Sequence, residues 1–264
     1  MIKTDNCEFT GASLVDALSA WVPGIITLIG GGGKTSMMYY LADKLVKRGI
    51  KTLATTTTKL YKPESRLLLA DTLTACRQAI NNAKLNDNFS ILAQNISVDN
   101  PRKIMGLNPA WISILAQEFA NISFIVEGDG SAGKSLKGHL TYEPVIPENC
   151  RLVIPVMGID VIGQPLNSRQ VHRAMRAAQI AGVQENAIIT TELMARLLLC
   201  RDGYLHNCPE KAVVLPFINK ADCPERWRQA KKLSGAIMKL QDERITGVLV
   251  GSMINEKFNM VIRK

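Results

Sequence analysis

Apolar residues recur along this chain in two rhythms. Strand-like runs fall at Ile25 to Ile29, Ile50 to Thr55, Ile122 to Val126, Arg151 to Met157, Ala212 to Ile218 and Ile245 to Val250, and Ile122 to Val126 and Arg151 to Met157 are of the kind expected of strands buried on both faces. Between them lie segments with helical spacing: Met37 to Val46, Thr72 to Ala83, Asn108 to Ala120, Ser168 to Ala181, Thr190 to Cys200 and Pro224 to Leu240. Ser13 to Trp21 reads as a short amphipathic helix stopped by Pro23-Gly24, Phe89 to Gln94 as a further strand or hairpin arm, and Phe258 to Ile262 as an edge strand. Strands that alternate with helices predict an α/β fold, a mostly parallel sheet with helices on both faces. The expectation is a single domain over residues 1–264, with the helices between residues 165 and 205 as an insertion between sheet strands.

The sharpest feature falls between the first of those strands and the first long helix. Gly30-Gly31-Gly32-Gly33-Lys34-Thr35-Ser36 has the order strand, glycine loop, lysine, hydroxyl, helix that a phosphate-binding loop requires, so the fold expected is P-loop NTPase-like. Glycines let several backbone N–H groups turn toward one anion, and the helix N-terminus adds a partial positive charge. Lys34 would reach the terminal phosphates and Thr35 would hold Mg2+. The longer standard spacing would need glycine at position 28, which is Leu28, so the loop is a short form of the kind some ligases use. A rival with full spacing, Gly128 to Ser135, lacks a following helix, because Gly138, Pro144 and Pro147 interrupt the next residues.

Glu127 and Asp129 end a buried strand and are the candidate acidic residues beside the loop, catalytic together with Lys34. Asp129 is expected to complete with Thr35 the oxygen ligands of Mg2+. Asp160, in a D-x-x-G pattern with Gly163, competes for that role. Lys134 and Lys137 face either phosphate or solvent, and Thr55 to Thr58 either contact the ligand or serve as plain strand. Asn219-Lys220-Ala221-Asp222 matches the N-K-x-D pattern that reads guanine. There the aspartate accepts hydrogen bonds from the ring N–H and exocyclic amine, which adenine cannot offer. GTP is therefore the expected nucleotide, with ATP the alternative. Arg169, His172 and Arg173 share one face of the predicted helix at i, i+3, i+4, as an anion clamp or a solvated face. His139 and His206 stand alone and read as structural.

Composition narrows the rest. At 264 residues with 47% hydrophobic and 21% charged residues the chain can bury a large core. No apolar run approaches bilayer length and Met1 to Thr10 shows no export signal, so a cytoplasmic protein with no membrane contact is expected. The six cysteines are far apart, without a C-x-x-C pair, and are expected to be reduced. The net charge of +9 suits an anionic ligand, but the basic residues are dispersed and show no nucleic-acid footprint.

Thr27 to Ser36, Thr55 to Lys59, Glu127 to Ser131 with Leu136-Lys137, Glu143 to Pro147, Val171 to Arg173 and Asn219 to Asp222 occur in that order along nearly the whole chain. Together they resemble the selenium-dependent molybdenum hydroxylase accessory proteins. The resemblance implies a nucleotide-binding role in maturation of a molybdenum hydroxylase or its cofactor. The layout is also similar to GTPases that deliver nickel to metalloenzymes, an analogy of fold that is compatible with a homodimer. An ATP-dependent ligase or kinase acting on a small molecule, and a non-catalytic adaptor with a structural nucleotide, are the alternatives.

Overall fold

The computed structural model describes residues 4–239 and 242–263, the side chains of residues 4–13 and of Arg263 excepted. One sheet, of 11 strands among the described residues, organises the chain. Its order is Thr4–Thr10, Lys257–Arg263, Gly247–Ser252, Phe217–Asn219, Leu152–Gly158, Ile25–Gly30, Ser123–Glu127, Thr52–Thr56, Ser90–Ala93 and Leu67–Leu69, with Val213–Val214 also on Leu152–Gly158. From Gly247–Ser252 to Leu67–Leu69 the pairing is parallel. Lys257–Arg263 and Thr4–Thr10 add antiparallel strands at one side. The mostly parallel α/β sheet expected from the sequence is thus present.

Alternation along each central strand sends side chains to opposite faces, and each face has its own core. Ile26 and Leu28 join Met37, Met38, Leu41, Ala42 and Leu45, the buried stripe of the Lys34–Val46 helix, and residues of the Gly11–Ala17 helix. Ile25 and Ile29 face the other way, toward the helices Leu73–Asn82, Pro109–Glu118, Ala174–Ala181, Thr191–Leu199 and Pro224–Lys239. The two helices expected as an insertion therefore contribute to the layer on that face, where Leu193, Met194 and Leu197 are buried with Leu233 and Ile237.

Several local expectations change. The polar Thr4–Thr10 segment is a strand, and it covers Lys257–Arg263, which is consequently not at the edge. Ala212 to Ile218 splits at Leu215-Pro216 into Val213–Val214 and Phe217–Asn219, since proline has no N–H to continue the ladder. Ser13 to Trp21 breaks into the Gly11–Ala17 helix and a 3-10 turn at Ser19–Trp21. Leu240, the expected end of the last helix, lies outside the described residues.

The segment Ser168 to Arg173 is not helical. It forms a turn and the two-residue strand Val171–His172, which pairs with Leu136–Lys137, and the helix starts only at Ala174. Arg169, His172 and Arg173 accordingly do not share a helical face. A small sheet missed by the pattern, Lys59–Tyr61, Lys103–Met105 and Asn95–Ile96, stands beyond the carboxyl end of Thr52–Thr56, its strands too short to show a period.

Candidate functional site

The Ile25–Gly30 strand lies where successive connections part, with Ser123–Glu127 on one side and Leu152–Gly158 on the other. Such a switch point opens a crevice at the carboxyl ends of parallel strands. The glycine loop occupies it and leads straight into the Lys34–Val46 helix. Gly33, which caps that helix, has φ of 126°, a conformation side chains rarely adopt, and a Cβ there would collide with the Asn219 amide.

The loop's own hydrogen bonds divide it in two. The Gly30 N–H donates to both carboxylate oxygens of Asp129 at 3.0 Å, Gly31 N–H to Val156 O at 2.9 Å and Gly32 N–H to Lys134 O at 2.9 Å. These bonds hold the loop to the fold. In contrast, the N–H groups of Gly33, Lys34, Thr35 and Ser36 find no acceptor among the described residues. They are the orphan donors of a helix start, converging beside a lysine and a hydroxyl.

Thr35 Oγ1 donates to Glu127 Oε2 at 2.7 Å. Burial pushes the Glu127 carboxyl above its ordinary range, while Lys34 and the Thr35 hydroxyl pull it back. A hydroxyl and a carboxylate side by side suit Mg2+, a hard cation that takes few protein oxygens and keeps several waters. Among the described residues no group of three or more His, Cys, Asp or Glu forms a denser metal cage. The carboxylate that meets Thr35 is Glu127, whereas Asp129 holds the Gly30 N–H.

Asp129 is fully buried and does not line the cavity. Besides Gly30, it meets Lys34 Nζ at 3.3 Å, Lys137 Nζ at 3.3 Å and His139 Nε2. Burial opposes its ionisation, yet Lys34, His139 and Lys137 together hold its carboxyl far below the usual range. Its role is to anchor the loop from beneath. The network continues: Lys137 Nζ reaches Gly130 O at 2.6 Å and Glu143 Oε1 at 3.0 Å, and Glu143 in turn holds Arg173. Hence Lys137 faces neither phosphate nor solvent, whereas Lys134 donates to Arg169 O at 3.0 Å at the surface.

His139 is not isolated, as its sequence surroundings suggested. It sits at zero side-chain exposure against Asp129, with its ring edge-on to Tyr204 at 4.7 Å. Tyr204, also fully buried, accepts the Lys137 N–H at 3.0 Å. Neither contact has a sequence signature, because ten and 67 residues separate the partners.

Lys34 Nζ bends back onto Gly30 O at 2.6 Å, with Ser131 Oγ at 3.3 Å. Ser36 lines the cavity at the same turn. The N-K-x-D stretch meets the loop from the opposite strand. Asn219 Nδ2 donates to Gly32 O at 2.7 Å and its Oδ1 accepts the Met253 N–H at 3.1 Å. Lys220 Nζ reaches Ser135 Oγ at 2.6 Å and Asp160 Oδ2 at 2.9 Å, so Asp160 pairs with Lys220 instead of Thr35. Asp222 accepts the Ser252 hydroxyl at the end of the neighbouring strand. It borders a second cavity, of about 950 Å³, that also includes Trp227 and Asn255.

The cavity at the glycine loop measures about 890 Å³ and runs from Lys34, Thr35, Glu127 and Lys220 to Thr57, Thr58 and Arg173. Thr55 and Thr56 are buried and bond to Leu92 O and Glu127 O, so their role is in the strand. Burial, Arg173 and Lys137 keep His172 below its usual pKa and hence neutral near pH 7. Of the cysteines with described side chains, none is bridged; burial pushes the Cys150 thiol up to about 11 and Cys208 up to about 12.

Fold and site together define an α/β protein that carries a strand, glycine loop and helix at the switch point of a mostly parallel sheet. The chain belongs to the YqeC protein family, whose model matches residues 26–175, more than half of its length. It is 29% identical over 245 residues to "Uncharacterized protein YqeC" of Escherichia coli (strain K12), covering 92% of each chain. No solved structure matches it. No helix among the described residues is long and apolar enough to cross a membrane.

Proposed function

We propose that this chain is a magnesium-dependent, P-loop NTPase-like nucleotide-binding protein with GTP as its ligand, working in the cytoplasm on maturation of a selenium-dependent molybdenum hydroxylase. The observation that carries the nucleotide reading is the pairing of Thr35 with Glu127 at 2.7 Å beneath four unpartnered N–H groups. In this reading the N–H groups of Gly33 to Ser36 and the Lys34 ammonium bind and orient the terminal phosphates. Thr35 and Glu127 hold Mg2+, which supplies charge stabilisation when bound. Asp129 holds the loop in place from below.

The guanine preference draws on Asp222. Ser252 fixes its carboxylate, while Asn219 and Lys220 tie the same stretch to the phosphate loop and its flank. The maturation role rests on the ordered resemblance given above and on no geometry of the site. A hydroxylase or its cofactor is the partner in this reading.

Titration of the protein with GTP and ATP in the presence of magnesium tests the nucleotide. Tighter binding of GTP supports the reading, and equal affinities or absent binding reject the guanine assignment. A second reading, nucleotide-dependent transfer to a small molecule, is favoured by the extent of the cavity beyond Thr35 and Glu127. Appearance of a phosphorylated or ligated product distinguishes it from a hydrolytic switch.

A further inference from the structure

The cavity at the glycine loop has a bank that a nucleotide on the loop would leave free. The base-reading stretch follows Phe217–Asn219, two strands to one side of Ile25–Gly30, while Thr57 to Tyr61 follows Thr52–Thr56, two strands to the other side. A nucleotide with its base toward Asp222 and its phosphates on Lys34 and Thr35 therefore presents its terminal phosphate toward the second bank.

That bank is built, not incidental. Gly106 closes so tightly on the strand end that a Cβ there would lie 2.5 Å from Thr56 O and the Thr58 nitrogen. The Leu107 N–H donates to Thr56 O at 2.8 Å. These contacts hold the small sheet over the crevice, where it presents Lys59, Tyr61 and Lys103 to the cavity. Arg173 lines the same cavity, held by its bond to the buried Glu143 and with a φ of 55°. The Glu143 carboxylate is held in turn by Lys137, so Arg173 is anchored to the buried network.

Charge and shape on this bank point one way. Lys59, Lys103 and Arg173 outnumber Glu143, and the pairing of Lys59 with Asp99 is a surface contact of little weight. Tyr61 and Tyr142 line the cavity yet remain 68% and 64% exposed, and the Lys103 ammonium stands 5.1 Å from the Tyr61 ring centre. Exposed aromatic rings beside cations suit a flat ring that carries a negative group.

We propose that the cavity binds a second ligand next to the nucleotide, a small anion with a planar ring, between Arg173 and the Lys59, Tyr61 and Lys103 wall. The proposal rests on reading the glycine loop as the nucleotide site. A fluorescent probe of the stated chemistry, flavin mononucleotide, tests it by quenching and polarisation on the full chain. The titration is run with magnesium and a saturating non-hydrolysable GTP analogue, and again without nucleotide. One equivalent is expected to bind the nucleotide-loaded protein. Tyr61→Leu, at an exposed position, and Lys103→Gln, at a half-buried one, are each expected to weaken it about tenfold without changing affinity for the GTP analogue. Saturable competition between probe and analogue, absence of probe binding, or binding indifferent to both substitutions overturns the second site. Failure of the analogue alone to bind rejects the nucleotide reading instead. In that event, probe binding that still depends on Tyr61 and Lys103 upholds the second site without it.

Discussion

Asn219 donates from its side-chain amide to the Gly32 carbonyl at 2.7 Å, joining the end of one strand to the glycine loop two strands away. Its other amide atom accepts the Met253 N–H at 3.1 Å, so both ends of the side chain hold backbone. Replacing it with alanine leaves a buried carbonyl and an N–H without partners, a cost of about 1–3 kcal/mol. Urea denaturation of Asn219→Ala is expected to show that loss, and GTP titration a weaker affinity through a loosened loop.

Asp222 offers a change of specificity in place of a loss. A carboxylate accepts from the two donors of guanine, whereas an amide also donates and suits xanthine, which has a carbonyl where guanine has its amine. Asp222→Asn is expected to lower GTP affinity at least tenfold and to raise affinity for xanthosine triphosphate. Unchanged GTP affinity would remove Asp222 from base recognition.

Glu127 is buried with its carboxyl pushed above the ordinary value of 4.5. A raised carboxyl destabilises the folded state as pH climbs through and above that value. Glu127→Gln keeps the size and an acceptor for Thr35 while removing the charge. Its melting temperature is therefore expected to match or exceed wild type near pH 7, by a margin that shrinks toward pH 4. Magnesium-dependent nucleotide affinity is expected to fall about tenfold, the scale of one charged contact. Calorimetry over pH and a magnesium titration check the two halves separately.

Asp129 has the opposite sign. Its folded carboxyl lies below the ordinary 3.8, so its stabilisation is complete above that value and is lost as pH falls below it. Asp129→Asn leaves Lys34, Lys137 and His139 around a neutral group, and breaking such a buried set costs about 3–5 kcal/mol. Chemical denaturation at pH 7 measures the loss. The stability of the variant is expected to decline less steeply than that of wild type below pH 3.8.

The order of elements was legible because most central strands are short apolar runs and each long helix carries a periodic stripe. Ile25 to Ile29 and Met37 to Leu45 announce themselves in this way. Thr4–Thr10 did not, since an outer strand can be polar along its length. Ser168 to Arg173 misled through helical spacing alone, where a backbone pairing with Leu136–Lys137 took precedence over local pattern.

By itself the sequence determined the α/β alternation, the glycine loop with its lysine and hydroxyl, and the residues able to carry charge near it. These are local properties: a few neighbouring side chains set strand, turn and helix start. Which carboxylate faces Thr35 was decided only by tertiary structure. Glu127 and Asp129 stand two residues apart at one strand end, and the sequence reading placed Asp129 beside Thr35. The fold turns Asp129 beneath the loop, onto Gly30 and three basic side chains, and leaves Glu127 against Thr35 at the cavity. The physical reason is that both burial and charge pairing depend on segments far away in the chain, with Gly30 99 residues from Asp129 and Thr35 92 residues from Glu127, and no local pattern encodes how they meet.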